Sequence, residues 1–149
     1  MPTPSARVLA AREWAYHLVI LVIGVVVVAL VAAHLVQDGL EHHWFPAAVL
    51  LGAPLIAIIA RFPMVLDSGS GYIEVGFDSC ILMFLLCVLD SSEALVVWAI
   101  GVVLTQTLSG HRVVARIFNV GVGIIGGGLA AAVYDAVNAG ASIESPRGL

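Results

Sequence analysis

Apolar residues in this chain fall into five runs separated by short polar breaks. The first run, 14–36, is rich in Val, Leu and Ile and starts with Trp14 and Tyr16. It has the length of a bilayer-spanning helix, which needs about 20 residues. It is also too long for the apolar core of a secretory signal, so it reads as a retained first helix. Aromatic residues at its start suit a membrane–water interface. A polar connector, 37–43, carries Asp38, Glu41, His42 and His43. The second run, 44–60, has Pro46 near its first turn and Pro54 inside, and Arg61 and Pro63 end it. Bilayer helices tolerate an internal proline where neighbours satisfy the freed carbonyl.

The next stretch, 62–79, breaks the pattern by mixing apolar residues with Asp67, Gly69, Gly71 and Glu74. Its SGSG core is a turn signal between MVL and YIEV, two short segments of strand-like composition. A short interfacial hairpin or re-entrant loop is expected here. Runs 75–89 and 94–108 follow, joined by Asp90, Ser91, Ser92 and Glu93, with Asp90 or Ser91 suited to cap the second. Both are short for spanning helices, which fits a thinned bilayer or a buried helical hairpin. The last run, 117–137, follows a link containing His111, Arg112 and Arg116. Residues 1–13 read as a cytoplasmic tail and 138–149 as a disordered one. The expected fold class is an all-α membrane protein, a compact bundle of about five transmembrane or membrane-embedded helices.

Composition supports that class. Of 149 residues, 61% are apolar and only 11% charged, and mean hydropathy is +1.09. Soluble domains run nearer half apolar and a quarter charged. The net charge of −4 comes from 10 acidic against 6 basic residues, all of the latter Arg. That balance supplies no basic patch for nucleic acid. Positive charge stays cytoplasmic, so an N-terminus inside places Arg7, Arg12, Arg61, Arg112 and Arg116 on that side. Only Arg147 then lies outside, with the acidic links, and the C-terminus is extracytoplasmic. Cys80 and Cys87 stand seven residues apart, about 10 Å along a helix, too far for a disulfide. They read as buried small hydrophobes.

Few residues suggest chemistry. GVGIIGGG, 121–128, has the letters of a dinucleotide fingerprint but no preceding strand and no βαβ unit. Gly123, Gly127 and Ala131 recur every four residues and instead form a face that lets another helix approach closely. Gly127 lies at the centre of that face, so leucine there is expected to disrupt assembly more than at Gly121. Asp78 is the ionisable group expected at membrane depth, where a carboxylate must face protein or water. It is either a ligand contact or a cap for the third helix. His17 and His34 read as interfacial or packed, and Asn119 as a hydrogen-bonding contact between helices. Glu41, His42 and His43 lack metal-site spacing. Ser109 and His111 lack an oriented third group for nucleophilic catalysis. No catalytic residue, metal or cofactor is expected.

One stretch, 62–134, carries a resemblance. Its matching positions are Phe62 and Pro63, Gly69 and Gly71, Gly76 and Phe77, Arg112 and Arg116, Phe118 and Asn119, and Val133 and Tyr134. This stretch resembles the multi-helix membrane module N-terminal to bacterial GGDEF, EAL or HD-GYP cyclic-di-GMP signalling domains. The resemblance implies a sensory or anchoring module in the bacterial cytoplasmic membrane, without catalysis of its own. Its partners would be the lipid bilayer, a second copy or another membrane protein, and a cyclic-di-GMP output domain beyond or beside the chain. No GGDEF, EAL or HD-GYP motif is present. An extracytoplasmic C-terminus would require a further crossing before any cytoplasmic output domain. Two other readings are a small transporter or its substrate-binding subunit, and a structural or assembly protein with no ligand.

Overall fold

The computed structural model describes residues 4–39, 42–67, 72–75 and 77–140. Their elements are α1 (Pro4–Asp38), α2 (Phe45–Ile59), β1 (Met64–Asp67), β2 (Tyr72–Val75), α3 (Asp78–Val88), α4 (Ser91–Leu108) and α5 (Val113–Gly140). The two strands form an antiparallel hairpin with Met64 opposite Val75 and Asp67 opposite Tyr72. The rest is helical, as the hydrophobic pattern implies. Boundaries differ from the expected ones in ways the local chemistry explains. Residues 4–13, expected as a tail, continue α1 toward the N-terminus. The third helix starts at Asp78 and not at 75, because 72–75 are paired in β2. The fourth starts at Ser91, where Asp90 is the N-cap and its carboxylate accepts the Ser92 N–H at 2.9 Å. The last helix continues past 137 to Gly140, so 138–140, expected as part of a disordered tail, are helical. Residues 141–149 and the SGSG turn lie outside the described residues. At the end of α1, Gly39 has φ +81° and donates its N–H to Leu35 O at 3.0 Å. Glycine takes that left-handed conformation at little steric cost.

Among the described residues, three helices are long and apolar enough to cross a membrane, over Trp14–Gln37, Ser91–Leu108 and Val113–Asn138. Their packing inverts the order found in water. The most apolar stretch, in α1, has mean hydropathy 3.1 and only 6% of it is buried. Trp14, Leu18, Leu30 and Val36 all face outward. The least apolar of the three, α4, has mean hydropathy 1.4, is a third buried and touches every other helix. In water such an outer surface would be a large aggregation-prone patch, whereas lipid solvates it. The core lies where α2, α3 and α5 meet α4. Ile56, Leu82, Leu85, Leu86, Val97 and Trp98 are its main buried side chains.

Cys80 and Cys87 are free and exposed, contrary to the burial expected from their apolar context. Two helical turns place them on one face of α3, opposite Ile81, Leu82, Leu85 and Leu86. That face is outward, and an apolar outward side chain needs no protein partner when lipid surrounds the bundle.

The polar ends fix the direction of each helix. At one end His42, from the α1–α2 connector, meets Glu93 at the start of α4, and Ser91 hydrogen-bonds to Asp135 late in α5. At the other end Trp14 and His17 of α1 share a cleft with Arg112 and Val114 at the start of α5. Helices α1 and α5 therefore run in the same direction, and α2 and α4 run against them.

Candidate functional site

Asp78, the carboxylate singled out from sequence, is the first residue of α3. Phe77 holds the N-cap position and makes no side-chain capping bond. Asp78 thus does not cap through a hydrogen bond, although its charge sits at the positive end of the α3 dipole. No bond or ion pair from a described residue reaches its carboxylate. Asp78 lines a cleft of about 360 Å³ together with Ser79, Met83, Trp98, Gly126 and Gly127. Trp98 lies near the midpoint of α4 and Gly126 near the midpoint of α5. The short helix α3, about 16 Å long, therefore begins at mid-depth in the bundle. Its N-terminal carboxylate faces the seam between the two central helices.

The glycine face forms the floor of that cleft. A Cβ on Gly127 would lie 2.5 Å from the Trp98 ring, and one on Gly123 would lie 2.9 Å from Val102. Ala131, one turn further on, is buried. The indole N–H of Trp98 donates to Gly123 O at 2.9 Å, joining α4 to α5. The expected Gly123, Gly127 and Ala131 face thus packs on α4. Gly121, set aside as off that face, has a tight contact of its own with α1. A Cβ there would lie 3.1 Å from the backbone oxygen of Ile20. That contact removes the ground for ranking Gly127 above Gly121. Gly126 differs from both, since nothing lies within 4 Å of its Cβ position, which opens into the cleft.

At the end where α1 passes into α2, Glu93 is completely buried, 0% exposed. Its two oxygens take the backbone N–H of His42 at 3.1 Å and its Nδ1 at 2.7 Å. The His42 ring also packs edge-on against Trp44, with centroids 5.5 Å apart. This contact pins the α1–α2 connector to the first turn of α4. Sequence reading placed Glu93 in the acidic link between the third and fourth runs. The Asp-x-x-Glu spacing from Asp90 to Glu93 marks a capping position, but the partner, 51 residues away, is visible only in the fold. His34 and His43 complete the histidines of this end. Among the described residues no group of three or more His, Cys, Asp or Glu could hold a metal ion.

At the opposite end Asn119 donates to Gln106 Oε1 at 3.2 Å, an α4–α5 bond of the kind expected of it. His17 lies edge-on to Phe118 at 5.0 Å. The Ser109 hydroxyl donates to Gln106 O, and the His111 carbonyl accepts from Arg116 Nε. Ser109 and His111 line a larger cleft with Arg61. No family model, no curated protein and no solved structure matches the chain.

Proposed function

We propose that the chain is a multi-pass module of the bacterial cytoplasmic membrane that senses or anchors and performs no chemistry of its own. The observation that carries this reading is the Asp78 cleft. A molecule seated there touches α3, α4 and α5 together, so it can stabilise one packing of those helices over another. A ligand shifts such an equilibrium only by its unequal affinity for the two arrangements. The carboxylate, the Trp98 ring and the apolar wall at Leu82 and Met83 favour a small apolar molecule bearing one positive charge. The arginine-bearing end is cytoplasmic in this reading, with the N-terminus inside and the C-terminus outside. A cyclic-di-GMP output domain beyond or beside the chain would receive the change, directly or through a partner helix.

Thermal unfolding of the purified chain in nanodiscs, against a panel of hydrophobic amines and quaternary ammonium ions, tests the site. A ligand at 100 times its Kd stabilises by about 2.7 kcal/mol, and Asp78→Asn should remove that gain. Distance measurement between a label on Cys80 and one at Val122→Cys, in a Cys87→Ser background, then reads the packing shift. Stabilisation without a change in distance would refute a sensory role. Absence of any stabilising cation would leave an assembly protein as the reading. A transporter subunit is the second reading, favoured by the start of α3 at mid-depth, because interrupted helices often mark transport sites. Ligand-dependent uptake by proteoliposomes containing the chain and a coupled ATPase would establish it instead.

A further inference from the structure

We propose that the cleft between the C-terminal ends of α2 and α4 seats an anionic phospholipid, with its phosphate on Arg61 and an acyl chain along the cleft walls. The cleft holds about 670 Å³, against about 360 Å³ for the cleft beside Asp78. Its walls are apolar, formed chiefly by Pro54, Ile58 and Phe62 on one side and Leu104 and Leu108 on the other. Higher up the two helices touch so closely that a Cβ on Gly101 would lie 2.7 Å from Ile56. The cleft therefore opens below a fixed contact.

Arg61 stands at its rim with no bond or ion pair from any described residue. It is not needed to finish α2, because the last carbonyls are already used. Ile58 O accepts from Arg61 N and Ile59 O from Phe62 N, both at 3.0 Å. Nor do the neighbouring polar side chains bond to it. Thr105 and Ser109 donate to backbone carbonyls, and Gln106 Oε1 is taken by Asn119. The four carboxylates with described side chains, Asp78, Asp90, Glu93 and Asp135, line other parts of the bundle. With 15 residues, α2 is about 22 Å long, short of the roughly 30 Å hydrocarbon thickness. Arg61 is thus placed near the boundary between acyl chains and headgroups, where a long basic side chain reaches the headgroup layer. A lipid phosphate there accepts the guanidinium fork in a charge-assisted pair.

Native mass spectrometry of the full chain, titrated with phosphatidylglycerol, phosphatidylcholine or inorganic phosphate, tests the proposal. Phosphatidylglycerol should be retained in preference to phosphatidylcholine, and inorganic phosphate should not displace it. Arg61→Gln should weaken retention by about tenfold, the loss of one charge-assisted contact. Arg112→Gln, in the separate cleft beside Trp14 and His17, should leave it unchanged. Ile58→Trp should displace the lipid by filling the cleft while leaving Arg61 in place. Equal loss at Arg61 and Arg112, equal retention of the two lipids, or retention undiminished by Ile58→Trp would each overturn the site. Displacement by inorganic phosphate alone would mark a soluble-anion site and overturn the lipid.

Discussion

Alanine at Gly127, Gly121 and Gly126 separates helix packing from helix propensity within one helix. At Gly127 the added Cβ would lie 2.5 Å from Trp98 Cδ1 and Nε1, too close for any real contact. Trp98 must swing away, which sacrifices its 2.9 Å bond to Gly123 O, or α4 and α5 must separate. Overpacking of this kind costs about 1–3 kcal/mol, and the lost bond about 1 kcal/mol more. The better helix propensity of alanine returns about 1 kcal/mol, leaving a net loss of about 2 kcal/mol. At Gly121 the clash includes the Ile20 backbone oxygen, which no rotamer change can move, so α1 itself must shift. The expected loss there is at least as large. At Gly126 the Cβ meets nothing, so alanine should be neutral or stabilising by up to about 1 kcal/mol. Reversible unfolding of the three variants in mixed micelles measures all of these differences. A Trp98→Leu background should abolish most of the Gly127→Ala cost while leaving that of Gly121→Ala intact. A Gly126→Ala loss equal to that at Gly127, or no rescue by Trp98→Leu, would refute the packing argument.

Three further substitutions probe the polar ends. His42→Ala removes the ring that satisfies one oxygen of a fully buried carboxylate. It should cost about 1–3 kcal/mol in thermal or denaturant unfolding, with Glu93→Gln in the same background recovering part of the loss. Asp90→Ala removes the N-cap acceptor of α4 and should cost about 1 kcal/mol by the same assay. Asn119→Leu leaves Gln106 Oε1 unpaired between α4 and α5 and should cost about 1 kcal/mol. The double variant with Gln106→Leu should cost less than the sum of the two single changes.

Sequence pattern carried the helical class and the order of the elements because apolar runs and polar breaks are local signals. The SGSG turn between MVL and YIEV marked the hairpin, and Asp90 was readable as a cap. Burial was harder to read. In a bundle whose outer face is apolar, hydrophobicity no longer distinguishes inside from outside. Cys80 and Cys87 look like core residues and face outward, while Glu93 looks like a loop residue and is wholly enclosed. The candidate site was half legible. Asp78 and the Gly123, Gly127 and Ala131 face could be singled out separately. Their meeting across Trp98 depends on α3 starting at mid-depth, which in turn depends on pairing 64–67 with 72–75. The tie between His42 and Glu93 and the cleft beneath Arg61 are tertiary juxtapositions with no local trace.

The central position of α4 bears on how the chain enters a bilayer. As the least apolar of the three span-length helices, it gains least from hydrocarbon and most from its neighbours. It also carries Glu93 into the bundle, and His42 lies in a connector made much earlier in synthesis. Insertion of α1 can proceed on its own hydropathy, after which α2 and its connector wait with the His42 donor for Glu93 of α4. The contacts of α5 through Trp98 and Gly123 then close over it. On this order, the interval in which α4 has emerged and α5 has not is the step most exposed to quality control.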